Sequence, residues 1–122
     1  PVNANTIDPP AGLIDKGETE AQAAIRELQE ECGYQGTVVN VSPPLVLSPG
    51  LCNETIKLVT VEVDLSAPAN QNPVQKLDEG EFVEVLRVER RRLLEELERM
   101  DREDGVKVFA GLYTLAAGMT IM

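Results

Sequence analysis

Gly12-Leu13-Ile14-Asp15-Lys16-Gly17-Glu18-Thr19-Glu20-Ala21-Gln22-Ala23-Ala24-Ile25-Arg26-Glu27-Leu28-Gln29-Glu30-Glu31-Cys32-Gly33 is the run from which the rest of the chain can be read. Ala21, Ala24, Ile25, Leu28 and Cys32 recur at spacings of three and four, the period that gathers apolar side chains on one stripe of an α-helix. A helix is therefore expected over Thr19–Cys32 with one face buried. Thr19 followed three positions later by Gln22 is a capping-box arrangement, and Gly33 is a residue able to take the left-handed conformation that ends a helix.

The polar side of the same helix carries the chemistry. A rotation of about 100° per residue places Glu27 and Glu31 one turn apart, with Glu30 on the flank. Three unpaired carboxylates there would repel one another, and a divalent cation relieves that repulsion. A Glu-x-x-Glu-Glu run alone is more often the solvated face of an ordinary amphipathic helix. Its company sets this one apart: a loop bounded by Gly12 and Gly17, a spaced Glu18 and Arg26, and the terminal Gly33. Arg26, four residues before Glu30, is placed to hold that carboxylate by a salt bridge in a supporting role. The chain has no histidine, which removes Ser-His-Asp and Cys-His catalysis and leaves oxygen donors for a hard cation such as magnesium or manganese.

Outward from this run, Thr37–Val41 and Thr55–Leu65 read as strands from their β-branched content. Ser42–Asn53, with Pro43, Pro44, Pro49 and Gly50, and Ser66–Pro73 read as loops. Glu81–Val88 is expected as a further strand. A charged helix follows from about Glu89 to Arg102, with Leu93, Leu94, Leu97 and Met100 inward and Arg91–Glu95 and Glu95–Arg99 at i,i+4 spacing. Val106–Met119 is expected as a last helix, with Phe109, Leu112, Tyr113 and Ala116 on one face.

At 122 residues, 43% of them hydrophobic, the chain is long enough for one domain with a modest core. Its net charge of -10 opposes general nucleic-acid binding. No apolar run approaches the roughly 18 residues needed to span a bilayer, so neither nucleic acid nor membrane is an expected partner. Cys32 and Cys52 lie far apart and do not form a disulfide framework, which favours a reducing interior: cytoplasmic, or nuclear. The first residue is proline, which suggests processing or a fragment of something longer.

From Gly12, five residues lead to Glu18 and seven more to Arg26, and Glu27 to Gly33 follow without a gap. This resembles the complete Nudix box, with Tyr34 where the pattern prefers an aliphatic residue. Asp8-Pro9-Pro10-Ala11-Gly12-Leu13-Ile14-Asp15 is similar to the Glu-Phe-Pro-Ala-Gly-Leu-Ile-Asp segment of the ADP-ribose pyrophosphatases, the ADP-sugar branch of the Nudix hydrolases. Asp8 replaces a glutamate of that pattern and Pro9 an aromatic residue. Ser48–Asn53 and Gly80–Val85 resemble later segments of the branch, and prolines downstream of the box are a marker of ADP-sugar specificity in it.

The resemblance implies an α+β Nudix fold, a mixed β-sheet packed between helices as an α/β/α sandwich, over residues 1–122 as one domain. It implies that Glu27, Glu31 and the Ala11 carbonyl hold magnesium, that Glu30 completes or tunes the cluster, and that Glu81 is the general base. Asp8, Leu13 and Gly50 are the implied substrate contacts, with Gly12, Glu18, Arg26 and Gly33 as structural support. The implied reaction is metal-assisted hydrolysis of ADP-ribose or a related ADP-sugar to AMP and a sugar phosphate. Members of the branch carry an additional N-terminal segment that contributes to a domain-swapped dimer, so this chain is expected to be a truncated domain and a homodimer is an expected partner. Two alternatives stay open: a fragment or degenerate domain that binds nucleotide or a partner without turnover, and a hydrolase of another nucleotide.

Overall fold

Thr19 stands in extended conformation with its hydroxyl accepting from Gln22 N at 3.1 Å, while the Gln22 side chain accepts from Thr19 N at 2.9 Å. Two amides that the first helical turn would leave without partners are thereby satisfied, and the helix begins at Glu20. In the computed structural model, which describes residues 4–121, the elements in chain order are β1 (Thr6–Ile7), α1 (Glu20–Cys32), β2 (Thr37–Val41), β3 (Leu45–Val46), β4 (Thr55–Ile56), β5 (Val59–Glu62), α2 (Leu93–Asp104), β6 (Lys107–Val108) and α3 (Ala110–Ile121). Short 3-10 turns at Pro68–Asn70 and Arg90–Arg92 complete them. The class is α+β, as expected, and the strands form three two-stranded ladders: β1 with β6, β2 with β5, and β3 with β4. The chain divides into two compact units, Pro10–Val85 and Pro1–Pro9 with Leu86–Met122. The single domain expected over 1–122 includes residues 1–3 and 122, which lie outside the described residues.

In the unit Pro10–Val85, α1 packs on β2 and β5, with Ala23 its buried residue. The stripe of Ala21, Ala24, Ile25, Leu28 and Cys32 is half-buried. β2 and β5 run antiparallel, pairing Thr37 with Glu62 and Val41 with Val59, and the register shifts between Val38 and Asn40. The single strand expected over Thr55–Leu65 is two. Ser42 interrupts it: its amide donates to Leu58 O at 2.9 Å and its hydroxyl accepts from Leu58 N at 2.8 Å. β4 instead pairs with β3, inside the segment expected to be only loop. Glu81–Val88 is not a strand. Phe82 is 96% exposed, and the Val83 carbonyl is taken by a side chain, Gln75, rather than by a ladder amide.

The end of α1 is held from outside. Gly33 has φ 79°, its N–H donates to Gln29 O at 2.9 Å, and Lys76 N donates to Glu30 O at 2.7 Å. Beyond it, buried Asn70 accepts from Gln35 N at 2.8 Å and donates to Gln35 O at 3.0 Å and to Asp64 O at 2.8 Å. One buried amide thus meets three main-chain groups, at Gln35 and Asp64, and its own polar atoms are satisfied by them. Asn70→Ala is expected to destabilise the chain by about 1–3 kcal/mol, read as a lower urea midpoint with an unchanged slope. An unchanged midpoint would show that water replaces the amide.

In the other unit, Leu97, Met100 and Ala116 form the buried core, with Ile7, Leu93, Leu94, Val106, Val108 and Leu112 packed against it. The helix expected from Glu89 begins as the 3-10 turn and becomes α-helical at Leu93. Its ion pairs include Arg92–Glu96 at 3.2 Å, Arg99–Glu96 at 3.1 Å and Arg99–Glu103 at 3.3 Å, and Glu95 faces Arg92 at 3.9 Å where pairs with Arg91 and Arg99 were expected. Val106–Met119 is helical only from Ala110. Before that, Lys107 N donates to Asn5 O and Phe109 N to Ile7 O, which makes β6 the parallel partner of β1. Among the described residues, no helix is long and apolar enough to cross a membrane.

Candidate active site

Arg26 organises the polar face of α1. Its Nε donates to Glu18 Oε2 at 2.7 Å and its Nη2 to Glu18 Oε1 at 3.0 Å, a two-pronged pair that orients the guanidinium plane. Nη2 also reaches Leu13 O at 3.0 Å, while Nη1 reaches Glu27 Oε1 at 2.8 Å and Glu30 Oε2 at 3.2 Å. One side chain therefore ties the glycine-bounded loop, the residue before the helix cap and two helix carboxylates together. The Glu18 carboxylate, and then that of Glu27, raise the Arg26 pKa further above its already high ordinary value. The Arg26–Glu30 contact is the one expected from the i,i+4 spacing; the bonds to Glu18, Glu27 and Leu13 were not.

The loop is seated directly on the acidic face. Ala11 N donates to Glu31 Oε2 at 3.1 Å, and the Gly12 α-carbon lies so close to the Glu27 carboxylate that a β-carbon there would overlap it. Asp15 N donates to Glu18 Oε1 at 2.8 Å and closes the loop near its other glycine. Glu27 and Glu31 thus meet the main chain of Ala11 and Gly12, while Glu30 turns to Arg26. The helical spacing predicts that Glu27, Glu30 and Glu31 converge, with Arg26 holding Glu30. Among the described residues no group of three or more acidic or thiol side chains is gathered closely enough to hold a metal ion, and Arg26 pairs with both Glu27, at 2.8 Å, and Glu30, at 3.2 Å. The donors present, two carboxylates beside the main chain of a tight loop, suit a hard divalent cation in chemical type.

The remaining candidates lie as follows. Glu81 closes a turn: its N–H donates to Asp78 O at 3.1 Å and its carboxylate accepts from Asp78 N at 3.0 Å. Leu13 is 85% exposed, and Gly50 is exposed within the turn that Ser48 closes to Leu51 and Cys52. Asp8 is exposed and belongs to the other unit. Gln75 was not anticipated. Its Nε2 donates to Glu31 O at 2.7 Å and to Val83 O at 2.8 Å. A partner 44 positions away leaves no periodic trace in sequence.

Hydrogen bonding to Arg26, and secondarily to Asp15 N, holds the Glu18 carboxyl below its usual 4.5. A depressed folded-state pKa stabilises the fold above the unfolded value, and that contribution is lost as pH falls through the folded pKa. The melting temperature of Glu18→Gln is therefore expected to lie below that of the parent at neutral pH, with the gap narrowing as pH drops below 4.5. A gap that stayed constant down to strongly acid pH would mean that the carboxylate charge is not what stabilises.

The NUDIX domain pattern matches residues 2–112. An ADP-ribose pyrophosphatase of Saccharomyces cerevisiae is 44% identical over 119 residues, covering 98% of this chain and 51% of that protein. An ADP-sugar pyrophosphatase of Mus musculus is 38% identical over 113 residues, covering 93% and 52%. An ADP-ribose pyrophosphatase of Bacillus subtilis is 32% identical over 113 residues, covering 93% and 59%. The chain spans about half the length of the curated relatives it matches.

Proposed function

Because the chain belongs to the NUDIX domain family, we propose that it is a divalent-metal-dependent hydrolase that cleaves the diphosphate of ADP-ribose or a related ADP-sugar to AMP and a sugar phosphate. The observation that carries this reading is the seating of the Ala11–Gly12 main chain on the Glu27 and Glu31 carboxylates, held in register by Arg26. The names of the relatives support an ADP-sugar as the substrate.

Glu27 and Glu31, with the Ala11 carbonyl and Glu30, are the proposed holders of magnesium or manganese, which when bound offsets the diphosphate charge and makes water a better nucleophile. Arg26 limits where Glu27 and Glu30 can point. Glu81 is the proposed general base, receiving the proton of the attacking water on a carboxylate held otherwise by one amide. Asp8, Leu13 and Gly50 are proposed to contact the substrate.

The proposal includes a homodimer in the cytoplasm or nucleus. The free Cys32 and Cys52 suit a reducing compartment. Sedimentation as a monomer at all concentrations would remove the dimer, and tagged protein found only outside cytoplasm and nucleus would remove the location.

Incubation with magnesium or manganese and a panel of ADP-ribose, other ADP-sugars and nucleoside triphosphates should release AMP from the ADP-sugars. No product from any of them would overturn the hydrolase and favour a domain that binds without turnover. Product from a triphosphate alone would overturn the substrate.

A further inference from the structure

We propose that Gln75 is a positioning residue that ties α1 to the loop carrying Glu81. The amide nitrogen of Gln75 donates to Glu31 O at 2.7 Å and to Val83 O at 2.8 Å. Glu31 O belongs to the last helical turn, where carbonyls lack intrahelical partners, and Val83 lies two residues beyond Glu81. An uncharged NH2 group offers two hydrogens in one plane, so a single glutamine can serve both carbonyls at once.

The neighbouring main chain is pinned as well. Lys76 N donates to Glu30 O at 2.7 Å, so the chain around Gln75 is fixed to the helix before its side chain reaches across. The same two residues, Glu30 and Glu31, present carboxylates on one side and main-chain oxygens to Lys76 and Gln75 on the other. The turn bearing Glu81 has hydrogen bonds of its own only between Asp78 and Glu81 among the described residues. On its entering side the chain is tied to the acidic helix by Lys76 N, and on its leaving side, at Val83, by the Gln75 amide. The distance from base to cation site therefore depends on a residue that touches neither substrate nor metal. This rests on the hydrolase reading above, in which Glu81 is the base.

Gln75→Glu tests it in the full chain, because the shape is kept while the NH2 that donates to two carbonyl oxygens becomes a carboxylate oxygen with no hydrogen to give. Amide hydrogen exchange over Asp78–Val83 is expected to quicken by roughly tenfold or more, since the loop loses its tie on the leaving side. With ADP-ribose, kcat is expected to fall by about 10²-fold, the scale of a small misplacement of a reacting group, while KM and the metal titration stay close to the parent's. Adding Glu81→Gln should cost little beyond Glu81→Gln alone, because the two changes act on one function. Unchanged exchange in the loop overturns the tie, whether or not the chain hydrolyses anything. Losses that multiply in the double variant overturn action through Glu81. A parent without turnover overturns the hydrolase reading and the role for Glu81 with it, while exchange still decides the tie. Should Gln75→Glu fail to fold, Gln75→Met, which has neither donors nor charge, replaces it in every comparison.

Discussion

Glu31→Gln is expected to reduce metal-dependent turnover by about 10³-fold or more, beyond the roughly 10–100-fold typical of losing an outer partner of a metal ligand. The fold should remain. Glu31 accepts from Ala11 N at 3.1 Å, and the carbonyl oxygen of a glutamine can keep that hydrogen bond. The Gln75 contact uses the main-chain oxygen of residue 31, which the substitution does not alter. What disappears is the negative charge, on which attraction for a divalent cation depends. Turnover of ADP-ribose, a calorimetric magnesium titration and a thermal melt measured together separate these effects. Near-normal turnover would sink the assignment of Glu31 as a ligand; a collapsed melt would show that the charge stabilises the fold instead.

The parts of the molecule legible in sequence are those set by neighbours along the chain. Thr19, Gln22 and Gly33 bound α1 because a cap is a contact over three or four residues, and Arg26 meets Glu30 because both lie on one helix face. β2 has the bounds its β-branched run suggests. The same local rule failed where a distant group competes for the main chain. Ser42 splits the run Thr55–Leu65 by taking both main-chain groups of Leu58, and Lys107–Val108 leaves its helical pattern to pair with Thr6–Ile7.

The candidate site divides along the same line. Glu27, Glu30 and Glu31 share a face by helical period alone, whereas their relation to Arg26 depends on where the Gly12 loop returns. That loop brings Glu18 and Leu13 O to the guanidinium, so Arg26 is committed to five acceptor atoms, among them one oxygen each of Glu27 and Glu30. Charge counting along a helix sees the acids but not a cation whose aim is set from outside it. Gln75 and Asn70 were illegible for a related reason: uncharged amides in polar loops resemble any loop residue until their partners are known.

Gly33→Ala should destabilise the chain far more than Gly17→Ala, although both glycines have positive φ, 79° and 86°. At Gly17 an added β-carbon meets nothing within 4 Å, so only the left-handed backbone is penalised, by roughly 1–2 kcal/mol. At Gly33 it would lie 2.5 Å from Val74 N and 2.9 Å from the carbonyl carbons of Pro73 and Val74. These are main-chain atoms and cannot rotate aside as a side chain would. Moving them pulls on the bonds from Lys76 N to Glu30 O and from Gln75 to Glu31 O, each worth about 1 kcal/mol, so the total is on the order of 3–4 kcal/mol. Urea titrations of the two variants beside the parent give the comparison directly. Equal losses would mean that the Pro73–Val74 segment yields without cost, and that the end of α1 does not depend on its being there.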